Sequence, residues 1–242
     1  MKNKEYISTG GEYHPQYVNP NFPTTFGMTK NESFERDGYL FVPNFFADPE
    51  NLYCRPPFDK NGEKQKTGTL IYLRKDKVKH VPIEQEEGSL SRYNIPHYKP
   101  IQYLIQKELE RLLEIDLFPT YYFDRFYFAG QKLHRHTDRE SCEISVSIQI
   151  SSNANNPWPF WFQRPDGSES CVVMKDGDAV IYKGCEREHW RDTLESRYNK
   201  VQNLWRTIRN KKDDTYHHQI FFHFVNAQGP FLEHAFDSSR WS

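Results

Sequence analysis

The sequence predicts a mainly β domain, a sandwich or barrel with flanking helices. Several short apolar or alternating runs recur between turn signals, and helical periodicity is confined to a few stretches outside that array. The clearest run is Ile144 to Ile150, with Ile144, Val146, Ile148 and Ile150 on one face and Glu143, Ser145, Ser147 and Gln149 on the other. This period of two belongs to a half-buried strand.

Taken in order, residues 1–33 are rich in Pro, Asn, Thr and Gly and read as an extended arm, and 34–242 read as one domain. Tyr39–Val42 is a short strand, and Asp48-Pro49-Glu50 carries the start signals of a short helix. A loop over 54–67 leads to two strands around Lys75-Asp76-Lys77, a protruding hairpin over 68–83. From Pro100, the residues Ile101, Leu104, Ile105, Leu109, Leu112 and Leu113 share one helical face. Strands follow at 121–128, 144–150 and 158–163. Pro165-Asp166-Gly167 is a hairpin turn into CVVM, and AVIYKG is a further strand. A loop over 185–188 delivers His189 to the next strand. Val201, Leu204, Trp205 and Ile208 recur at helical spacing in a basic segment, so 197–210 is an inserted amphipathic helix, and 216–225 is the last strand. The hairpin and the inserted helix are the two long excursions, and at least one is expected at a pocket mouth.

The chain has 242 residues, enough for one sizeable core, and a net charge of −1 with Lys and Arg dispersed, which points to neither nucleic acid nor an anionic membrane. No apolar run has transmembrane length and the first residues lack the core of a secretory signal, so a cytoplasmic setting is expected. Cys54, Cys142, Cys171 and Cys185 are not closely spaced and read as isolated thiols rather than a zinc site or disulfides. Aromatic residues make up 16% of the chain, so they must supply much of the core and some line a pocket.

Chemistry concentrates at LHRHTDRESCEISVSIQI, residues 133–150, where His136 and Asp138 stand at the mouth of the alternating strand. Two residues apart in extended chain, they point to the same side and reach one ion; a third ligand comes from elsewhere, and His189 is the best candidate. Two imidazoles and one carboxylate form the facial triad that leaves positions open on Fe(II). His134 reads as a surface or loop residue rather than a ligand, and Trp158, Phe160 and Trp161 as core.

In these pieces the chain resembles the Fe(II)/2-oxoglutarate-dependent oxygenases. GYLFVPNFF is similar to the entry strand of phytanoyl-CoA-dioxygenase-like and prolyl-hydroxylase-like members, FYFAGQKLHRHTD to the tyrosine strand and first ligands of prolyl hydroxylases, and GDAVIYKGCEREHW to the strand delivering the distal histidine. The resemblance covers roughly 34–235. It implies a double-stranded β-helix, or jelly-roll barrel, and an oxidoreductase using Fe(II), 2-oxoglutarate and O2 on a peptidyl, amino-acid or small-molecule substrate. It also implies that His136, Asp138 and His189 are the iron ligands and that Tyr127 contacts the cosubstrate. Most members hold the far carboxylate of 2-oxoglutarate with Arg or Lys on the last strand, where this chain reads His217-His218-Gln219. His217 and Gln219 share one face there, Arg191 supplies a permanent cation nearby, and Lys200 is a further choice. His217, His218 and His223 also fit strand residues satisfied by hydrogen bonds. The alternative is a metal-binding jelly roll without 2-oxoglutarate turnover that binds a peptide or sugar in an aromatic groove.

Overall fold

The computed structural model describes residues 30–49, 52, 58, 64, 67–73, 77–81 and 86–236. The expected arm therefore lies outside the described residues up to position 29, and so do Cys54, most of the 54–67 loop and part of the expected short helix at 48–50. From Lys30 the chain is helical rather than extended: α1 (Lys30–Asp37) buries Phe34 and leads through Gly38, at φ +76°, into β1 (Tyr39–Val42). The hairpin forms from β2 (Gly68–Tyr72) and β3 (Val78–Val81). The next strand, β4 (Leu90–Tyr93), has no alternation clear enough to announce it; it pairs with β2 in parallel.

α2 (Lys99–Leu113) has Pro100 in its first turn and buries Ile101, Ile105, Leu109, Leu112 and Leu113. Leu104 is only half-buried, and Gln102 is buried in the same helix. The chain leaves α2 at Glu114, which takes the left-handed conformation (φ +57°).

Eight strands then follow: β5 (Leu117–Phe128), β6 (Leu133–His136), β7 (Ile144–Ser152), β8 (Phe160–Gln163), β9 (Glu169–Val172), β10 (Ala179–Tyr182), β11 (His189–Arg191) and β12 (Tyr216–Asn226). The β8–β9 turn closes through Arg164 and Ser168 around Gly167 at φ +82°. Between β11 and β12 lies α3 (Lys200–Ile208), started by an Asn199–Gln202 capping box. The strands form an eight-stranded sheet, ordered β1-β10-β7-β12-β5-β4-β2-β3, and a four-stranded sheet, ordered β6-β11-β8-β9. β5 to β12 thus distribute between two sheets in jelly-roll fashion, and the expected barrel is a two-sheet arrangement without hydrogen-bonded closure among the described residues.

The polarity of β7 differs from expectation, since both of its faces are buried. Ile144, Val146, Ile148 and Ile150 pack in one cluster with Phe34 and the α2 side chains. Ser145, Ser147 and Gln149, expected to be half in solvent, are also buried; by strand alternation they share the opposite face, and Ser145 reaches Asp138. The alternation therefore separates an apolar core from a polar interior.

Candidate metal centre

β6 and β11 pair so that His136 and His189 are cross-strand partners, which brings their ring centroids to 4.5 Å. Asp138 follows two residues after His136, its backbone N–H donating to Gly184 O at 2.9 Å. Its Oδ1 stands 3.5 Å from His136 Nε2 and 3.7 Å from His189 Nε2. Ligands bound side by side to one ion, each at about 2.1 Å, are roughly 3 Å apart, so only a small closure would seat a cation here.

The imidazoles are oriented for that role. His136 Nδ1 donates to His134 O at 2.6 Å and His189 Nδ1 to Arg187 O at 2.9 Å, which orients both rings with Nε2 toward the carboxylate. Burial raises the pKa of a carboxyl group, but His189 and His136 outweigh it and hold Asp138 below the ordinary carboxylate range. Burial pulls His189 below the ordinary imidazole value against the opposing pull of Asp138, favouring the neutral, ligating form. Ser145 Oγ lies 3.4 Å from Asp138 Oδ2. A Cβ on Gly184 would stand 2.7 Å from that same oxygen, so glycine is what lets the carboxylate lie where it does.

The three residues open onto a cavity of about 360 Å³, lined also by Tyr121, Phe123, Arg125, Tyr127, Tyr182 and His223. Tyr127 is thus one of the lining residues. Arg191, His217 and Gln219 are not among the lining residues; they are buried beside it. Trp158 joins this cluster, with Tyr127 at 5.0 Å and His217 at 4.9 Å between ring centroids, and the Arg191 guanidinium 4.6 Å from its ring. Arg191 also lies 4.5 Å over Phe160 and donates one hydrogen bond, to Trp158 O, while its Nε and Nη2 are buried without a hydrogen-bond partner. His217 Nε2 is in the same condition. Unpaired donors around a buried cation fit a carboxylate.

Burial first, and the Arg191 charge second, keep His217 well below the ordinary imidazole value, which favours its neutral form. One expectation about charge is corrected. Arg191 is not charged at every accessible pH, because burial lowers it to about 9. Gln219 donates to Ser147 Oγ at 3.0 Å, and Lys200 is an exposed residue at the start of α3 that does not line the cavity. Nor does any residue of the 68–83 hairpin or of α3, so neither excursion borders this cavity among the described residues.

Arg125 escaped the sequence reading. It is buried, lines the cavity and donates to Tyr127 Oη at 3.1 Å and to Ser91 Oγ at 2.9 Å. The period of two in YYFDRFYF was the available signal, since it puts Tyr121, Phe123, Arg125 and Tyr127 on one face. Cys142, read as an isolated thiol, and His223, read as a strand residue satisfied by hydrogen bonds, line the cavity as well. Together with Asp138 they form a second cluster of ligand-type atoms, in which Cys142 Sγ lies 3.1 Å from Tyr121 Oη and His223 Nδ1 2.9 Å from Ser145 Oγ. Cys142, Cys171 and Cys185 carry free thiols, as expected.

No family model matches the sequence, and no curated protein matches it. Solved structures do. An oxidoreductase of the 2OG-Fe(II) oxygenase family from Burkholderia pseudomallei aligns over 84% of this chain and 93% of its own, at 13% identity and a TM-score of 0.51. A prolyl hydroxylase from Trichoplax adhaerens, in complex with a hypoxia inducible factor oxygen degradation domain peptide fragment, aligns over 83% and 89%, at 12% identity and a TM-score of 0.52. HygX from Streptomyces hygroscopicus, with nickel, 2-oxoglutarate and hygromycin B bound, aligns over 80% and 84%, at 10% identity and a TM-score of 0.51. This chain therefore has the jelly-roll fold found in 2-oxoglutarate and iron oxygenases.

Proposed function

We propose that the protein is an Fe(II)- and 2-oxoglutarate-dependent oxygenase acting on a small-molecule or peptidyl substrate. The observation that carries this reading is the convergence of His136 Nε2, His189 Nε2 and Asp138 Oδ1 at a cavity, with both Nδ1 atoms already engaged by backbone carbonyls. Those three atoms would hold the iron. The far carboxylate of 2-oxoglutarate would meet Arg191, with His217 as a neutral partner and Tyr127 between the cluster and the cavity. When bound, iron and 2-oxoglutarate supply the oxidising power, O2 activation coupled to loss of CO2 from the cosubstrate.

The chain's own residues contribute position. The backbone carbonyls of His134 and Arg187 keep the imidazoles from rotating, and Gly184 gives the Asp138 carboxylate its room. Phe123 and Phe221 add apolar surface to the cavity, and Arg125 fixes the Tyr127 hydroxyl. A cavity of about 360 Å³ lies at the small end of the range for ligand pockets, ~300–1,000 Å³, and suits a compact metabolite or one side chain of a peptide.

The test is succinate formation from 2-oxoglutarate by apo and iron-loaded protein. Iron-dependent succinate supports the proposal. Iron binding without succinate under any candidate substrate would favour a metal-dependent binding module.

A further inference from the structure

α3 is mounted the opposite way round from an ordinary amphipathic helix. Val201, Leu204, Trp205 and Ile208, at i, i+3, i+4 and i+7, form one apolar stripe, and they are 63%, 60%, 58% and 66% exposed. The helix has no buried residue. Its polar side is the one tied to the body: Asn203 Nδ2 donates to Ser196 Oγ at 3.1 Å and to Tyr198 O at 3.3 Å. Arg206 stacks 4.1 Å over the Tyr198 ring and lies 3.5 Å from Asp214. Tyr198 Oη in turn donates to Asp214 at 2.7 Å, and the capping box fixes the first turn. Burying a side chain such as Leu or Ile is worth about 1.5–3 kcal/mol, so a helix held firmly with four such groups turned outward presents a binding surface.

Charge identifies the occupant. Residues 197–212 contain six basic residues and no acidic one, and Lys200, Arg209, Lys211 and Lys212 are exposed around the stripe. A second copy of the chain is a poor partner, because a two-fold contact would set these cations against each other. A stable protein interface takes roughly 20–30 residues a side, far more than one nine-residue helix offers. A shallow apolar stripe that includes tryptophan, rimmed by Lys and Arg, matches the interface of an anionic bilayer, where the ring sits at headgroup depth and the cations meet lipid phosphates and carboxylates.

We propose that α3 docks this protein reversibly onto anionic membrane surfaces. The helix lies on the bilayer and does not cross it, in keeping with the absence of any described helix long and apolar enough to span one. The cavity has no lining residue from 192–215, so the docking surface is separate from the candidate metal centre.

The full chain would be sedimented with vesicles of phosphatidylcholine alone and with added phosphatidylserine, at low and high salt. The proposal predicts binding to the anionic vesicles only, weakened by salt. Leu204→Gln with Ile208→Gln should abolish it. Arg209→Gln with Lys211→Gln should weaken it about thirtyfold, from the typical contribution of one basic residue near an anionic surface. Unchanged melting temperatures would show that the variants remain folded. A parent that stays in the supernatant, equal binding to phosphatidylcholine alone, or variants that bind like the parent each overturn the proposal. So does a dimer of the parent that disappears with the apolar substitutions while vesicles are ignored.

Discussion

Replacing Arg191 by methionine should make the protein more stable and a worse binder of 2-oxoglutarate. Burial lowers this guanidinium well below its ordinary value, to about 9. At about 1.4 kcal/mol per pKa unit, the buried charge costs several kcal/mol relative to an exposed one. The cation–π contacts with Trp158 and Phe160 and the hydrogen bond to Trp158 O offset part of that cost, and methionine keeps the packing of the stem. Replacing buried charge by apolar groups of similar volume typically gains about 1–4 kcal/mol, which is the range expected for Arg191→Met. The sign with pH follows from the lowered value. The folded state releases its proton near 9 and the unfolded chain only at higher pH, so the cost of this buried charge is relieved as pH rises above about 9. The difference between parent and variant should therefore shrink above about pH 9. Urea unfolding across pH 7 to 11 measures this, and calorimetry of the metal-loaded proteins measures 2-oxoglutarate affinity. A variant that is less stable than the parent and binds 2-oxoglutarate equally well would refute the reasoning, because Arg191 would then be a structural residue already satisfied in the fold.

Asp124 is buried and accepts from Arg92 Nε and Nη2, from His218 Nε2 at 2.8 Å and from Tyr98 Oη at 3.1 Å. Asp124→Ala removes the shared acceptor and should cost about 3–5 kcal/mol in chemical denaturation; a loss under about 1 kcal/mol would contradict the network. Burial raises the Asp124 carboxyl, but Arg92 and His218 outweigh it and hold it well below the usual range. Its contribution is thus fully present above about pH 4 and lost as pH falls, so Asp124→Asn should flatten the acid limb of the stability curve, read by thermal unfolding from neutral pH downward. Gly184→Ala places a methyl group against Cys142 O, 2.7 Å from Asp138 Oδ2 and 2.8 Å from Ser145 Oγ. It should weaken metal binding at least tenfold with every ligand present, the usual effect of disturbing a ligand's support, and unchanged affinity by metal titration would count against Asp138 as a ligand.

The sequence carried the strands and the His136–Asp138 pair for a physical reason: alternation and turn residues are local, and His-x-Asp is a local motif, whereas the role of the distant His189 rested on the family resemblance. β7, α2, the β8–β9 hairpin and β12 all lie where their patterns placed them. Polarity across a sheet is not local. Ser145, Ser147 and Gln149 read as a solvent face because nothing in β7 itself announces the opposing sheet. Arg125 was passed over for the same reason, as a buried cation looks like a surface residue until its strand is covered on both sides. The protonation of His217 and Arg191 depends on neighbours brought from four different strands or loops and cannot be read from composition. α3 shows the converse: its periodicity was legible, but which face it turns to the body was set by Tyr198, Ser196 and Asp214 outside the helix.

Anaerobic titration of the apo protein with Fe(II), alone and with 2-oxoglutarate, tests the proposed centre most directly when parent and Asp138→Ala are compared. The parent should bind one iron per chain and bind 2-oxoglutarate only when iron is present, and Asp138→Ala, lacking the sole anionic ligand, should bind neither. Stoichiometric iron in Asp138→Ala, or 2-oxoglutarate bound equally with and without metal, would show that His136, Asp138 and His189 are not the metal centre.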